Sequence, residues 1–203
     1  VEMLSLSFSK NTKEISIIFF YRVYSLISSM LNNLLKQKNS YFKNLSPDAQ
    51  KIFVARLYLF MEHKKFIGRE GLVITDEIKV QISAAAIQLT FGLKDYAISH
   101  LYAINVFPSV FFSNFLNTNL KGLNTQSGVL SLSWKDFIDG NASDNDKVNL
   151  GLHELAHSLY IDLVEGGNSD EHFSAYFEKW EMIASKDYHE LKEKKNTFLP
   201  IKM

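Results

Sequence analysis

His153-Glu154-Leu155-Ala156-His157 is the stretch of this chain that says most about its fold and its chemistry. Residues four apart lie on the same face of an α-helix, so His153 and His157 can direct both imidazoles at one metal ion. Glu154 adds a carboxylate that can take a proton from a water activated by that metal. The pentapeptide therefore predicts a helix that carries a zinc site.

The residues around this pentapeptide also favour a helix. Ser143-Asp144-Asn145-Asp146 combines capping residues with acids that suit a helix start. Apolar residues then recur at helical spacing, at Val148, Leu152, Leu155, Ala156 and Leu159. This stripe would face a core and leave His153 and His157 on a neighbouring face. The alternative is an ordinary half-buried helix with Glu154 in a surface contact, but the complete set of two histidines and a glutamate favours the metal site.

The composition is that of a globular chain. With 203 residues, an apolar fraction of 46% and 16 phenylalanines, it can form one domain, or one domain with a small appendage. Basic and acidic side chains number 22 each, so no excess of positive charge points to nucleic acid. Cysteine is absent from the sequence, which excludes disulfides and thiolate ligands. Zinc must therefore be held by histidine, aspartate or glutamate.

The N-terminal region is apolar without being a membrane span. Residues 15–35 are interrupted by an arginine, several serines and two asparagines, which is too polar for a span. We expect instead an amphipathic helix from Lys13 to Lys36, and a cytoplasmic protein. Because the chain starts at Val1 and stops at Met203, we expect a piece of a longer protein, with an upstream targeting or anchoring segment left open.

Helices around a small mixed sheet, an α+β class, are the predicted architecture. Further helices are expected from Ser46-Pro47, from Thr75 to Phe91, over Lys135–Ile138 up to Gly140, and from Asp170 to Ala184. Strands are expected near Phe66–Ile67, at Leu101–Val106 and at Gly128–Trp134. The helix that starts at Ser46-Pro47 should bury a stripe formed by Ile52, Phe53, Leu57 and Phe60.

The predicted strand before the metal helix is also a candidate for binding substrate. An edge strand beside that helix would let an extended peptide add itself by backbone hydrogen bonds. Four residues of the alternating stretch are the candidates for this role: Val129, Leu130, Ser131 and Leu132. A purely structural strand is the alternative.

With these residues placed, the chain resembles the Mlc titration factor A family of zinc-dependent gluzincin peptidases. The similarity runs in order along much of the chain. It covers Leu45-Ser46-Pro47 through Phe60, Lys65-Phe66-Ile67-Gly68, Gly128-Val129-Leu130-Ser131-Leu132-Ser133-Trp134 with Gly140, and Val148-Asn149-Leu150-Gly151-Leu152-His153-Glu154-Leu155-Ala156-His157. The combination is more specific than the His-Glu-x-x-His pattern by itself.

The resemblance implies a zincin-like fold shared with lethal-factor-type metallopeptidases and an aminopeptidase or general peptidase activity on peptide or protein substrates. His153 and His157 would be zinc ligands and Glu154 the catalytic base. It divides the chain into an N-terminal helical segment, 1–40, and a metallopeptidase domain, 41–203, that lacks its C-terminal part. Since the namesake binds a transcriptional repressor, the alternative function is a catalytically weak or inactive module that binds a regulatory protein.

The chain departs from the family pattern at two places. Ser158-Leu159-Tyr160 follows the second histidine, where the family often carries an aspartate. The family's third zinc ligand is a glutamate on a later helix, preceded by a tyrosine, and that segment is expected past Met203. A catalytic zinc site needs three protein ligands, and thermolysin-like spacing makes Glu178 the fallback within this chain. Weaker options are Glu181, Glu171 and His172, and exposed acids on an amphipathic helix are the simpler interpretation.

Overall fold

The computed structural model describes residues 26–142 and 149–164. The chain divides into two compact units, Val1–Tyr160 and Ile161–Met203, and the described part of the second unit is residues 161–164. The division predicted from sequence, between 1–40 and 41–203, stays a prediction.

The described residues form six helices and six strands. The helices are α1 (26–38), α2 (Ser40–Lys43), α3 (Pro47–His63), α4 (Asp76–Thr90), α5 (Trp134–Ala142) and α6 (Leu150–Val164). The strands are β1 (Lys65–Gly68), β2 (Ala103–Phe107), β3 (Phe111–Ser113), β4 (Thr118–Leu120), β5 (Gly122–Thr125) and β6 (Val129–Ser133).

Two predicted helix starts are confirmed by their capping hydrogen bonds. The Ser46 hydroxyl accepts from the backbone N–H of Ala49 at 3.3 Å, and Pro47 occupies the first turn of α3. The Thr75 hydroxyl accepts from the N–H of Ile78 at 3.3 Å and begins α4. Each side chain satisfies an N–H that the first helical turn leaves without a carbonyl partner.

The buried stripe of α3 differs from the predicted stripe by one residue. Phe53, Leu57 and Phe60 are buried as expected, but Ile52 is 51% exposed and Val54 is buried in its place. The prediction for Ile52 was wrong because adjacent apolar residues on a helix point about 100° apart, and only one of them can lie at the centre of the buried face. This face packs against α4.

The two helices predicted near the ends of the sequence lie partly or wholly outside the described residues. Residues 26–36 of the predicted Lys13–Lys36 helix are helical, and the earlier part lies outside the described residues. The predicted Asp170–Ala184 helix also lies outside them. Within the described ranges, no helix is long and apolar enough to cross a membrane.

The larger sheet is mixed, in the order β1-β2-β6-β5. The pairings of β1 with β2 and of β2 with β6 are parallel, and β5 runs antiparallel to β6. A separate hairpin pairs β3 with β4. Both central strands bury apolar side chains, at Ile104, Val106, Leu130 and Leu132. The predicted α+β class with a small mixed sheet is confirmed.

The edge-strand prediction for Val129, Leu130, Ser131 and Leu132 was wrong. These residues belong to β6, which is paired with β2 on one side and with β5 on the other. Its backbone groups are therefore already used in two ladders and cannot accept an added peptide strand. The outer strands of this sheet, as described, are β1 and β5, and β5 is the one next to β6.

The end of α5 also differs from the sequence prediction. Gly140 was expected to close the helix, but α5 continues to Ala142. A glycine costs a helix interior about 1 kcal/mol relative to alanine, which weakens a helix without stopping it. Gly140 is therefore an internal residue of the last turn of α5.

Candidate active site

The helix α6 begins at a side-chain cap that the sequence did not single out. The Asn149 carbonyl oxygen Oδ1 accepts from the backbone N–H of Leu152 at 3.0 Å, in the manner of a helix cap. Its amide nitrogen donates to Oδ1 of Asn141 at the end of α5, at 2.7 Å. The predicted capping cluster Ser143–Asp146 lies outside the described residues. Asn149 thus sets where α6 starts and links that point to α5.

Close packing then holds the first turn of α6 against α5. Gly151 lies so near the fully buried ring of Phe137 that a Cβ atom at this position would overlap the ring. Further along α6, Leu155 and Leu159 are buried, in line with the predicted apolar stripe. This orientation leaves the rings of His153 and His157 exposed on the neighbouring face, as predicted.

The two histidine rings approach each other most closely at the same ring nitrogen, Nε2. Their Nε2 atoms are 3.1 Å apart, and the rings are nearly perpendicular at 88° with centroids 4.6 Å apart. Two imidazole nitrogens bound tetrahedrally to zinc at about 2.0–2.1 Å would lie about 3.3 Å apart. The pair therefore fits two adjacent positions on one zinc ion.

Glu154, beside His153 in the chain, is only 8% exposed. Its Oε2 accepts a hydrogen bond from the side-chain amide of Asn124 on β5, at 2.9 Å. Its Oε1 lies over Gly122, where a Cβ atom would overlap the carboxylate. The carboxylate is thus enclosed between two residues that share one face of β5.

Burial raises the pKa of the Glu154 carboxyl group above its usual range, because water no longer solvates the charged form. Positive charge on His153 or His157 and the hydrogen bond from Asn124 act in the opposite direction. The net shift is upward. A carboxylate with a raised pKa is a better proton acceptor than a freely solvated one.

Contacts at both ends hold the strand β5 in place. Lys121, just before the strand, forms an ion pair with Asp136 in the first turn of α5, with Nζ and Oδ1 2.6 Å apart. At the other end, Gly128 has a φ of +78° in the turn to β6, and a Cβ atom there would overlap the carbonyl oxygen of His100. Glycine is required at this turn for both reasons.

A complete metal site is not formed by the residues described. Among residues 26–142 and 149–164, no group of three or more histidine, aspartate or glutamate side chains is arranged to hold a metal ion. The candidates for a third ligand, Glu178 with Glu181, Glu171 and His172, all lie outside these ranges. Two histidines are fewer than the three protein ligands that a catalytic zinc site needs.

A family model described as glucose-regulated metallo-peptidase M90 matches residues 22–202. The chain belongs to this family. The match covers most of the chain, including the whole of α6, and it confirms at the family level the resemblance found from the sequence. Membership in the M90 family implies a metallopeptidase type of function and a metal cofactor.

A protein of Synechocystis sp., described as uncharacterized, is similar to this M90 chain. The two are 25% identical over 188 residues, which is 82% of this chain and 66% of that protein. The chain thus spans just under two thirds of the length of this relative.

Sequence reasoning missed Gly122 and Asn124, two residues of this M90 chain that lie against the Glu154 carboxylate. Glycine and asparagine are both disfavoured in strands, so the segment Gly122–Thr125 gave no strand signal. Glycine and asparagine within a paired strand themselves indicate a functional site, because departures from local preference concentrate at such sites.

Proposed function

We propose that this chain forms the active-site region of a zinc-dependent peptidase, in which His153 and His157 hold the metal and Glu154 is the general base. The observation that supports this most directly is the arrangement on α6. Two exposed imidazoles present their Nε2 atoms 3.1 Å apart, and a buried carboxylate occupies the adjacent residue. Membership in a metallopeptidase family favours this use of the three side chains.

The donor set suits zinc, which binds imidazole nitrogen readily. The sequence has no cysteine, so no ligand from this chain can be a thiolate. When bound, zinc supplies a Lewis acid that activates water and polarises the carbonyl of the peptide bond. A third protein ligand is still needed. By resemblance to the family it is a glutamate on a later helix, and Glu178 is the candidate within the chain.

Glu154 has the properties that a general base requires. Enclosure between Gly122 and Asn124 restricts its rotamers, so the carboxylate is already oriented before substrate binds. Oε2 is occupied by the Asn124 amide, which leaves Oε1 to accept the proton from the attacking water. The proton can then pass from Glu154 to the amine of the departing peptide.

We place the peptide substrate along β5 instead of β6. Ser133 donates its N–H to the carbonyl of Lys121 at 2.8 Å, so Lys121, Leu123 and Thr125 direct their backbone groups towards β6. By the same alternation, Gly122 and Asn124 direct theirs to the side of β5 on which no described strand pairs. An extended peptide that pairs with these two residues would pass beside Glu154.

Removal of the metal is the direct test of the proposed function. The intact gene product, purified with its zinc content measured, should cleave members of a mixed peptide library, and a chelator such as 1,10-phenanthroline should stop the cleavage. Added zinc should restore it after the chelator is removed, because the ligands on α6 do not depend on the metal for their helix. Mass spectrometry of the products would also show whether cleavage begins at the N-terminus.

Two outcomes would contradict the proposal. Cleavage that is unaffected by chelators would exclude a metal mechanism. Absence of cleavage by zinc-loaded protein, together with binding of a regulatory protein that survives loss of His153 and His157, would favour the interaction module instead.

Substitution of Gly122 by alanine should lower activity without lowering stability. The new Cβ atom would overlap the Glu154 carboxylate and displace it from its hydrogen bond with Asn124. Alanine is more favourable than glycine in a strand by about 0.5–1 kcal/mol, which offsets the lost hydrogen bond. A displacement of about 1 Å at a reacting group can reduce turnover about 100-fold. We therefore expect a fall of at least about tenfold in kcat, with melting temperature and zinc content unchanged.

Gly92→Ala is the matched control for this variant. A Cβ atom at Gly92 meets no neighbouring atom within 4 Å, so this variant should keep full activity. Equal activity in the two variants would mean that the position of the Glu154 carboxylate does not affect turnover.

A further inference from the structure

Asn124 connects the outer strand β5 to the helix that carries the proposed base and metal ligands. Its side-chain nitrogen donates to Oε2 of Glu154 at 2.9 Å and to the backbone carbonyl oxygen of Glu154 at 2.8 Å. Its carbonyl oxygen Oδ1 accepts from the hydroxyl of Ser158, one turn later on α6. One amide group thus contacts a side chain, a main-chain atom and the following turn of the same helix.

These contacts use both amide hydrogens and place the amide in one orientation. A primary amide has two N–H donors and one carbonyl acceptor. The two atoms facing the nitrogen, a carboxylate oxygen and a carbonyl oxygen, can only accept. A flipped amide would bring Oδ1 against both of them, so hydrogen-bond chemistry excludes that alternative.

Ser158 supports this orientation from the other side. Its hydroxyl also lies 3.3 Å from the carbonyl oxygen of Glu154, within the same buried cluster. Since the hydroxyl donates to Oδ1, it stabilises the rotamer of Asn124 that directs the nitrogen at Glu154. The three residues therefore form a connected hydrogen-bond network, and such networks restrict side-chain motion.

We propose that Asn124 is the positioning residue for the general base: it holds one oxygen of the Glu154 carboxylate on β5, so that the other oxygen faces the reacting water. This inference rests on the proposed function of Glu154 as base. It assigns Asn124 no contact with the metal and no proton to transfer. Ser158 assists by orienting the amide.

Asn124→Asp tests the proposal because it keeps the size of the side chain and loses both donors. We expect kcat to fall about 10- to 100-fold, since a displacement of about 1 Å at a reacting group can cost as much as about 100-fold. KM and zinc content should stay close to those of the unmodified protein, because the backbone of β5 and both histidines are unchanged. Ser158→Ala should lower kcat in the same direction by a smaller factor.

Asn105→Asp is the matched control. Asn105 is a part-buried asparagine in the same sheet, on β2, and it donates to Ser131 and accepts from Arg69 without contacting Glu154. This variant should keep kcat. An unchanged kcat in Asn124→Asp would overturn the positioning role, and so would a loss that followed only the fraction of folded protein.

A crystal structure of Asn124→Ala provides a readout that does not depend on activity. The Glu154 carboxylate should leave its place over Gly122 or occupy several rotamers, and an unmoved carboxylate would refute the proposal. If the unmodified protein cleaves nothing, the proposed function fails, while the crystal structure still decides whether Asn124 positions Glu154. If the unmodified protein is active and Asn124→Asp is equally active, only the positioning role fails.

Discussion

Replacement of Glu154 by glutamine should abolish peptide hydrolysis by the intact protein and leave its zinc content unchanged. Glutamine has nearly the same shape as glutamate and its carbonyl oxygen can still accept the Asn124 hydrogen bond, but it cannot take a proton from water. Loss of a general base typically costs about 100- to 10,000-fold in rate. We expect a fall in kcat of that size, measured on a cleaved library peptide, with zinc determined by elemental analysis.

Glu62→Gln is the control for this experiment. Glu62 is an exposed acid on α3, so the same chemical change there should leave turnover as it was. Full turnover by Glu154→Gln would refute Glu154 as the base. A loss of zinc from that variant would indicate that the residue contributes to metal binding and would change the proposed assignment.

Replacement of both His153 and His157 by alanine should remove zinc from the protein without unfolding it. Both rings are exposed on α6, so their removal leaves the buried Leu155 and Leu159 in place, and alanine favours the helix. The affinity for zinc should fall by more than the roughly 10- to 100-fold that follows loss of a hydrogen-bonding partner of a metal ligand. Peptide cleavage should fall to background.

Zinc titration by calorimetry, together with circular dichroism, would measure both effects. His63→Ala, at the exposed C-terminal end of α3, is the control and should bind zinc normally. Stoichiometric, tight zinc binding by the double variant would exclude α6 as the metal helix.

The single-variant forms would add information about the missing ligand. If His153→Ala and His157→Ala each retain weak zinc binding, the remaining affinity reflects the other histidine together with any ligand outside the described residues. A site with one histidine and no further protein ligand would hold zinc poorly, since catalytic sites use three protein ligands.

The parts of the fold that were predicted from sequence are those with strong local signals. The cap at Ser46 with Pro47, the cap at Thr75 and the helical spacing on α6 each depend on residues within a few positions of one another. Such signals need no knowledge of tertiary contacts. The residues of His153-Glu154-Leu155-Ala156-His157 lie on one helix for the same reason.

The order of strands in the sheet could not be predicted in this way. Alternation in Val129–Ser133 identifies a strand, but the pattern does not say how many neighbours the strand has. The neighbour that covers β6 is β5, a four-residue strand that contains both glycine and asparagine and has little intrinsic strand preference. Its pairing with β6 through a short hairpin outweighs that weak preference.

The sequence therefore predicted only those residues of the candidate site that lie on α6. The sequence pattern placed Glu154 beside two histidines on a helix, but it did not indicate that β5 encloses the carboxylate. Contacts between residues thirty positions apart, such as Asn124 with Glu154, depend on the sheet order and leave no local pattern in the sequence.

The narrow space over Gly122 has a consequence for genome annotation. A search that uses the His-Glu-x-x-His pentapeptide alone would collect working enzymes together with relatives that have lost catalysis. Gly122 and Asn124 form a Gly-x-Asn tripeptide upstream of the pentapeptide, and a bulky residue at its first position would have no room beside an ordered base. Homologues with the pentapeptide but without that glycine are the ones to suspect as pseudoenzymes, before any of them is purified.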